Sequence, residues 1–103
     1  MLKRENRLAK IIRMAGEKKY FSPLFTIRIA ENKDNQVRFG FVVSKRVDKK
    51  AVVRNRTKRV LRDVAAGFIR NLTGKDIVIV AKKSLNFSEK EMVAKELKSI
   101  FKQ

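Results

Sequence analysis

Residues 39–63, FGFVVSKRVDKKAVVRNRTKRVLRD, constrain the fold more than any other stretch, because a strand there runs directly into a cationic helix. Val37, Phe39, Phe41 and Val43 alternate with Arg38, Gly40, Val42 and Ser44, so the first set faces a core and the second faces away. Beyond Ala51 the period changes: Thr57, Val60, Leu61, Val64, Phe68 and Ile69 fall on one side of a helix predicted over residues 51–71, with Gly67 inside it. Advancing about 100° per residue from Arg54 gathers Lys58, Arg62, Asn55 and Arg59 into an arc of roughly 140°, with Arg56 on its flank. Residues 76–81, DIVIVA, are then continuously apolar, as a strand buried on both faces would be. A strand, a helix and a wholly apolar strand in that order imply a parallel pair within a mixed sheet.

The rest of the chain is arranged around that unit. Leu8, Ile11, Ile12 and Ala15 have helical spacing and predict a short first helix over residues 2–16, which Gly16 would end. After Pro23, Phe25, Ile27 and Ile29 alternate with Leu24, Thr26 and Arg28, and the polar residues 32–36 lead into the strand at Val37, which reads as a hairpin of two long strands. Thr73 and Gly74 make a turn, and Ser88 with Glu91 has the spacing of a capping box for a last helix, with Val93, Leu97, Ile100 and Phe101 as its core side. The expected architecture is an α-β sandwich: one domain over residues 1–103, a mixed sheet of about four strands, and three helices largely on one face.

The charge defines the partner class. With 103 residues, 44% of them hydrophobic, and a formal net charge of +17, the chain can bury a core and still present a strongly cationic surface. Between Ser44 and Arg62 the cations are Lys45, Arg46, Lys49, Lys50, Arg54, Arg56, Lys58, Arg59 and Arg62, against the single acid Asp48. An ordinary solvated helix face mixes both signs at four-residue spacing; this one calls for a polyanion, and RNA or DNA is the commonest. The sheet face carrying Thr26, Arg28, Arg38 and Gly40 is open to two readings, a solvated surface or a ligand floor, since glycine within a strand often marks close approach. Without an apolar run of about 18 residues or a signal-peptide core, the expected location is cytoplasmic, with no membrane partner.

Catalytic groups are sparse. Histidine and cysteine are absent, and the ten acids show no close metal-binding grouping; Glu89 and Glu91 stand near a helix start, where capping explains them. No phosphate-binding glycine loop is present. These residues describe a nucleic-acid-binding domain with neither its own catalytic residues nor a metal site.

Ser44-Lys45-Arg46, Ala51-Val52, Arg54-Asn55-Arg56, Lys58-Arg59 and Arg62, in that order between an FGFVVS and a DIVIVA strand, resemble the protein subunit of bacterial ribonuclease P. The resemblance implies a ribosomal-protein-like sandwich with a left-handed crossover at the basic helix. It also implies a place in an endoribonuclease that matures tRNA 5′ ends, with Mg2+-dependent hydrolysis carried out by the RNA subunit and no cofactor or small-molecule substrate bound by the protein. On this basis Arg54, Asn55, Arg56, Lys58, Arg59 and Arg62 contact the RNA subunit, and Lys45, Arg46, Lys49 and Lys50 extend that surface. A cleft over the sheet takes the 5′ leader of precursor tRNA, and strand parity turns Thr26, Arg28, Arg38, Gly40, Val42 and Ser44 toward it. The N-terminal region is shorter than in many members and has Ile11 and Ile12 where those present phenylalanines. Tyr20 and Phe21 are each open to a place in the cleft or in the core. A small ribosomal-type RNA-binding protein is the alternative on charge alone, whereas a self-sufficient nuclease is disfavoured by the missing histidines.

Overall fold

The computed structural model describes residues 6–8, 16–33 and 35–102. Its strands are β1 (Lys18–Phe21), β2 (Phe25–Glu31), β3 (Val37–Val42) and β4 (Lys75–Ala81), and its α-helices are α1 (Ala51–Ala66) and α2 (Lys90–Phe101). One four-stranded sheet has the order β1-β2-β4-β3, antiparallel except for the parallel β3–β4 pair. The mixed sheet and its parallel pair therefore agree with the sequence reading.

The expected β2–β3 hairpin does not form, because β4 lies between those strands. The reason is burial: β4 is the strand that is apolar on both sides, and the centre of the sheet is where such a strand loses most water-exposed surface. Ile77, Val78 and Ile79 are all fully buried there. The chain between β2 and β3 passes beside the start of β4, where the Asn32 N–H donates to the Gly74 carbonyl at 2.8 Å and Asn32 Nδ2 donates to Asp76 Oδ1 at 2.9 Å. Gly74 suits that crossing: its φ is +59°, and a Cβ would stand 3.4 Å from the Asn32 carbonyl oxygen. The hairpin that does form is β1–β2, around Ser22, whose hydroxyl accepts from the Leu24 and Phe25 N–H groups.

The helices also differ from expectation. Among the described residues there are two α-helices rather than three. Most of the predicted helix over residues 2–16 lies outside the described residues. Where the chain is described, Arg7 bridges Phe39 in parallel and the Leu8 N–H donates to the Phe39 carbonyl, so residues 7 and 8 run along the free edge of β3. The basic helix ends at Ala66 with Gly67 as its C-cap, and a 3-10 turn follows at Ile69–Asn71. The capping box is Asn86 with Glu89 instead of Ser88 with Glu91: a 3-10 turn at Phe87–Glu89 precedes α2 and moves the start of the coil back by two residues.

Phe25, Ile27, Val37, Phe39, Phe41, Ile77 and Ile79 face α1 and α2, meeting Val60, Leu61, Ala65, Val93, Leu97 and Ile100 in one core. At about 1.5–3 kcal/mol for each large side chain removed from water, this layer is the principal stabilising term. Phe68 and Phe101 close one end edge-to-face, with ring centroids 5.3 Å apart.

Candidate nucleic-acid interface

The cationic surface begins in the loop after β3. Lys45, Arg46, Lys49 and Lys50 are exposed there, around a turn closed by the Val47 N–H donating to the Ser44 carbonyl. Asp48, the one acid of this stretch, accepts from the Lys50 N–H at 2.8 Å and so orders the entry to α1. Lys50 itself is the N-cap, makes no side-chain capping bond, and leads into a first turn without an acid. Cations at a helix N-terminus oppose the helix dipole, by about 0.3–1 kcal/mol for a charge placed there. Such a local cost is offset when an anion binds over the same turn.

Along α1 the cations divide by environment. Arg59 is exposed, in line with exposed Ala51, Asn55 and Asp63 at four-residue intervals, and Lys58 is half-buried beside that line. Arg54 instead turns back, its guanidinium donating to the Asp48 and Lys49 carbonyls at 3.1 and 2.8 Å. Arg56 Nε donates to the Leu85 carbonyl at 3.3 Å, while the Leu85 N–H donates to Thr57 Oγ1 at 3.1 Å. Adjacent α1 residues thus hold both polar groups of one buried backbone unit. Arg62 lies over the Phe41 ring, 6.0 Å from its centroid. The arginines of this helix are accordingly joints of the fold as well as surface charges, which the helical arc alone does not reveal.

On the opposite face of the sheet, strand pairing sets side chains in rows. Phe21, Thr26, Val80 and Val42 form one row; Lys19, Arg28, Val78 and Gly40 form the next; Ala30, Asp76 and Arg38 form a third. Strand parity thus places Thr26, Arg28, Arg38, Gly40 and Val42 together, with exposed Ser44 just past the end of β3. The middle of this face is covered and its two ends are not. Ala30, Gly40 and Val78 are buried, and beside β3 the chain at residues 6–8 is tied down, with Asn6 Nδ2 donating to the Val37 carbonyl at 2.7 Å. Gly40 therefore does not offer bare backbone.

Both arginines of the face have carboxylates: Arg28 lies 3.7 Å from Glu17 and Arg38 lies 3.5 Å from Asp76. Phe21 and Tyr20 separate cleanly. Tyr20 pairs with Ile27 and packs on the core, whereas Phe21 pairs with Thr26 on the other face and is 72% exposed. β1 escaped the sequence reading because four residues with two lysines carry no alternating apolar signal; the Ser22-Pro23 pair after it was the available turn cue.

No three acids, histidines or cysteines among the described residues are placed to hold a metal ion. No described helix is long and apolar enough to cross a membrane. A cleft of about 540 Å3 opens on the helix side, bounded by Lys18, Tyr20, Glu31, Lys75, Ile100 and Phe101, away from every residue assigned to RNA. Glu31 there is held below the usual carboxylate range, chiefly by the hydrogen bond from Lys75.

The sheet order, the cationic helix and its loop define a basic α+β protein whose charge is concentrated on one helix and the loop before it. The chain belongs to the ribonuclease P protein family, whose family model, described as Ribonuclease P, matches residues 1–103. It is similar to the ribonuclease P protein component of Marinomonas sp. (strain MWYL1), 42% identical over 62% of this chain and 48% of that one. It is also similar to that of Vibrio parahaemolyticus, 40% identical over 72% of this chain and 63% of that one. The matched stretch spans about half the length of the Marinomonas relative and 34% of a Xanthomonas oryzae one. Among solved structures, the RNase P protein of Thermotoga maritima in complex with 1-(4-fluorophenyl)-2-thiourea superposes with a TM-score of 0.65 at 29% identity, covering 85% of this chain and 86% of that one. The Staphylococcus aureus RNase P protein shares the fold, with a TM-score of 0.66 at 24% identity over 84% and 79% of the two chains.

Proposed function

We propose that this chain is the accessory protein subunit of a bacterial ribonuclease P, binding the catalytic RNA through α1 and its preceding loop and the 5′ leader of precursor tRNA across the far face of the sheet. The observation that carries the reading is the basic surface from Lys45 to Arg62, on the family fold, in a chain without histidine or cysteine. Lys45, Arg46, Lys49, Lys50, Lys58 and Arg59 supply charge to phosphates, while Arg54, Arg56 and Arg62 supply charge from positions the fold also fixes. Hydrolysis in this reading, and the Mg2+ it requires, belong to the RNA subunit. The protein contributes binding energy, neutralises phosphate repulsion between the RNAs and holds the substrate in register.

Thr26, Val42 and Ser44, with Arg28 and Arg38 beside them, face the leader. An unpaired strand suits that surface better than a duplex, because it lays bases on a shallow floor. The test mixes the purified chain with a bacterial ribonuclease P RNA and precursor tRNA at low Mg2+. Cleavage should appear only with both subunits present. Processing by rigorously RNA-free protein would overturn the reading, and so would binding to that RNA without any gain in cleavage, which is the behaviour of a ribosomal-type RNA-binding protein.

A further inference from the structure

On the sheet face away from the helices, unneutralised charge and exposed aromatic surface coincide at the corner where β1 turns into β2. Arg28 and Arg38 are matched by Glu17 and Asp76. Lys19 is exposed and makes none of the ion pairs formed among the described residues. Lys82 is exposed just past the end of β4, and its Nζ donates to the Ser22 carbonyl at 2.8 Å while standing 5.7 Å from the centroid of the Phe21 ring. Each ammonium has three N–H donors, so this single bond leaves Lys82 able to take a phosphate oxygen. Phe21 is the one aromatic ring on this face among the described residues, since Phe25, Phe39 and Phe41 are buried in the core and Tyr20 packs against it.

Single exposed apolar side chains are ordinary on protein surfaces. This one differs in its setting: a rigid ring on a paired strand, bracketed by Lys19 and Lys82 and in one row with Thr26, Val80 and Val42. Aromatic rings flanked by cations on a sheet form the usual stacking platform for unpaired bases.

We infer that Phe21, Lys19 and Lys82 form a subsite for one unpaired nucleotide of the precursor-tRNA leader, the base stacking on Phe21 and the adjacent phosphates meeting the two lysines. The inference rests on the leader reading of this face proposed above. It moves the leader's principal contact from the paired arginines to the β1–β2 corner.

The experiment uses holoenzyme reconstituted with a bacterial ribonuclease P RNA, and compares Kd for precursor and mature tRNA in the wild type, Phe21→Ala, Phe21→Trp, Lys82→Met and Val42→Glu. Precursors carrying 2-aminopurine at successive leader positions report stacking directly. Phe21→Ala should lower precursor affinity by roughly tenfold, within the range of a lost base–aromatic stack, while mature tRNA affinity and the thermal midpoint stay unchanged. Phe21→Trp should keep the discrimination, and one leader position should lose its fluorescence quenching only in Phe21→Ala. Lys82→Met should lower precursor affinity and flatten its salt dependence. If Phe21→Ala keeps full discrimination and quenching while Val42→Glu loses discrimination, the subsite is wrong and the leader face stands. If neither variant changes discrimination, or if both weaken precursor and mature tRNA equally, the leader reading falls as well.

Discussion

Arg56 and Arg59 are neighbours on the same helix with the same charge, and the structure expects their alanine variants to behave differently. Arg56 Nε donates to the Leu85 carbonyl at 3.3 Å, in a partly buried setting. Hydrogen bonds to charged groups contribute about 1.5–3 kcal/mol, but this one is long and its carbonyl can regain a water, so about 1 kcal/mol is the expected loss in Arg56→Ala. With a urea m-value of about 1–3 kcal/mol/M, the unfolding midpoint should fall by roughly 0.3–1 M, and the thermal midpoint by about 4–8 °C. Arg59 is exposed and makes no such bond among the described residues, so Arg59→Ala should stay within about 0.5 kcal/mol of the wild type. Binding should remove the contrast: if each arginine meets one phosphate, as proposed, each variant should flatten the slope of log K against log salt for the RNA subunit by the same amount, roughly 0.7–0.9. Arg56→Lys separates the two roles, keeping the slope while losing stability. Equal unfolding midpoints for the two alanine variants would show that the bond to Leu85 contributes nothing, and an unchanged salt slope in Arg59→Ala would remove the exposed line of α1 from the RNA interface.

Two further outcomes follow from the packing. Thr57 is fully buried, accepts from the Leu85 N–H at 3.1 Å and donates to the Val53 carbonyl at 3.0 Å; Thr57→Val keeps the volume but strands that N–H, and should cost about 1–3 kcal/mol by urea titration, whereas Thr57→Ser should cost less because it keeps the bond. The Glu89 carboxyl is held below its ordinary range, first by the hydrogen bond from the Asn86 N–H and then by Lys83 and Arg56. A carboxyl depressed in the folded state stabilises above its unfolded pKa, and that contribution disappears as pH falls through the lower folded value. Stability measured from pH 6 downward should therefore lose this increment below about pH 4.5 in the wild type and show a shallower acid decline in Glu89→Gln, and identical profiles would remove the capping interaction from the ledger.

The sequence made the core faces of the strands legible because alternation is a local property: Phe39 and Phe41 in β3, and Phe25 and Ile27 in β2, are buried as their parity required. It made β4 legible as a buried strand for the same reason. Strand order was not legible, since the preference of DIVIVA for the centre becomes decisive only when β2 and β3 compete for it. The capping box illustrates a finer limit: Ser88-x-x-Glu91 and Asn86-x-x-Glu89 both have suitable residues, and the 3-10 turn that selects Asn86 depends on how the chain leaves Leu85, pinned by Arg56 and Thr57. Those partners stand nearly thirty residues back, beyond the reach of any local pattern.

The same non-locality governs the site. The cations of α1 were legible as a surface because they share one helix, but the roles of Arg56 and Arg62 as joints depend on the Leu85 carbonyl and the Phe41 ring, which the fold brings up from elsewhere. On the sheet face, Arg28 and Arg38 look like free phosphate ligands in sequence, and only the fold supplies Glu17 and Asp76 beside them. Beneath this division lies β3, which serves both surfaces: Phe41 on one side lies under Arg62 of the basic helix, and Val42 on the other stands in the row that ends at Phe21. With the two surfaces on opposite faces of one sheet, a change that only alters surface charge on one face need not disturb the other, whereas a change that shifts β3 reaches both. In the proposed holoenzyme, that shared strand would set the leader face relative to the RNA-binding helix through the core packing of Phe39 and Phe41.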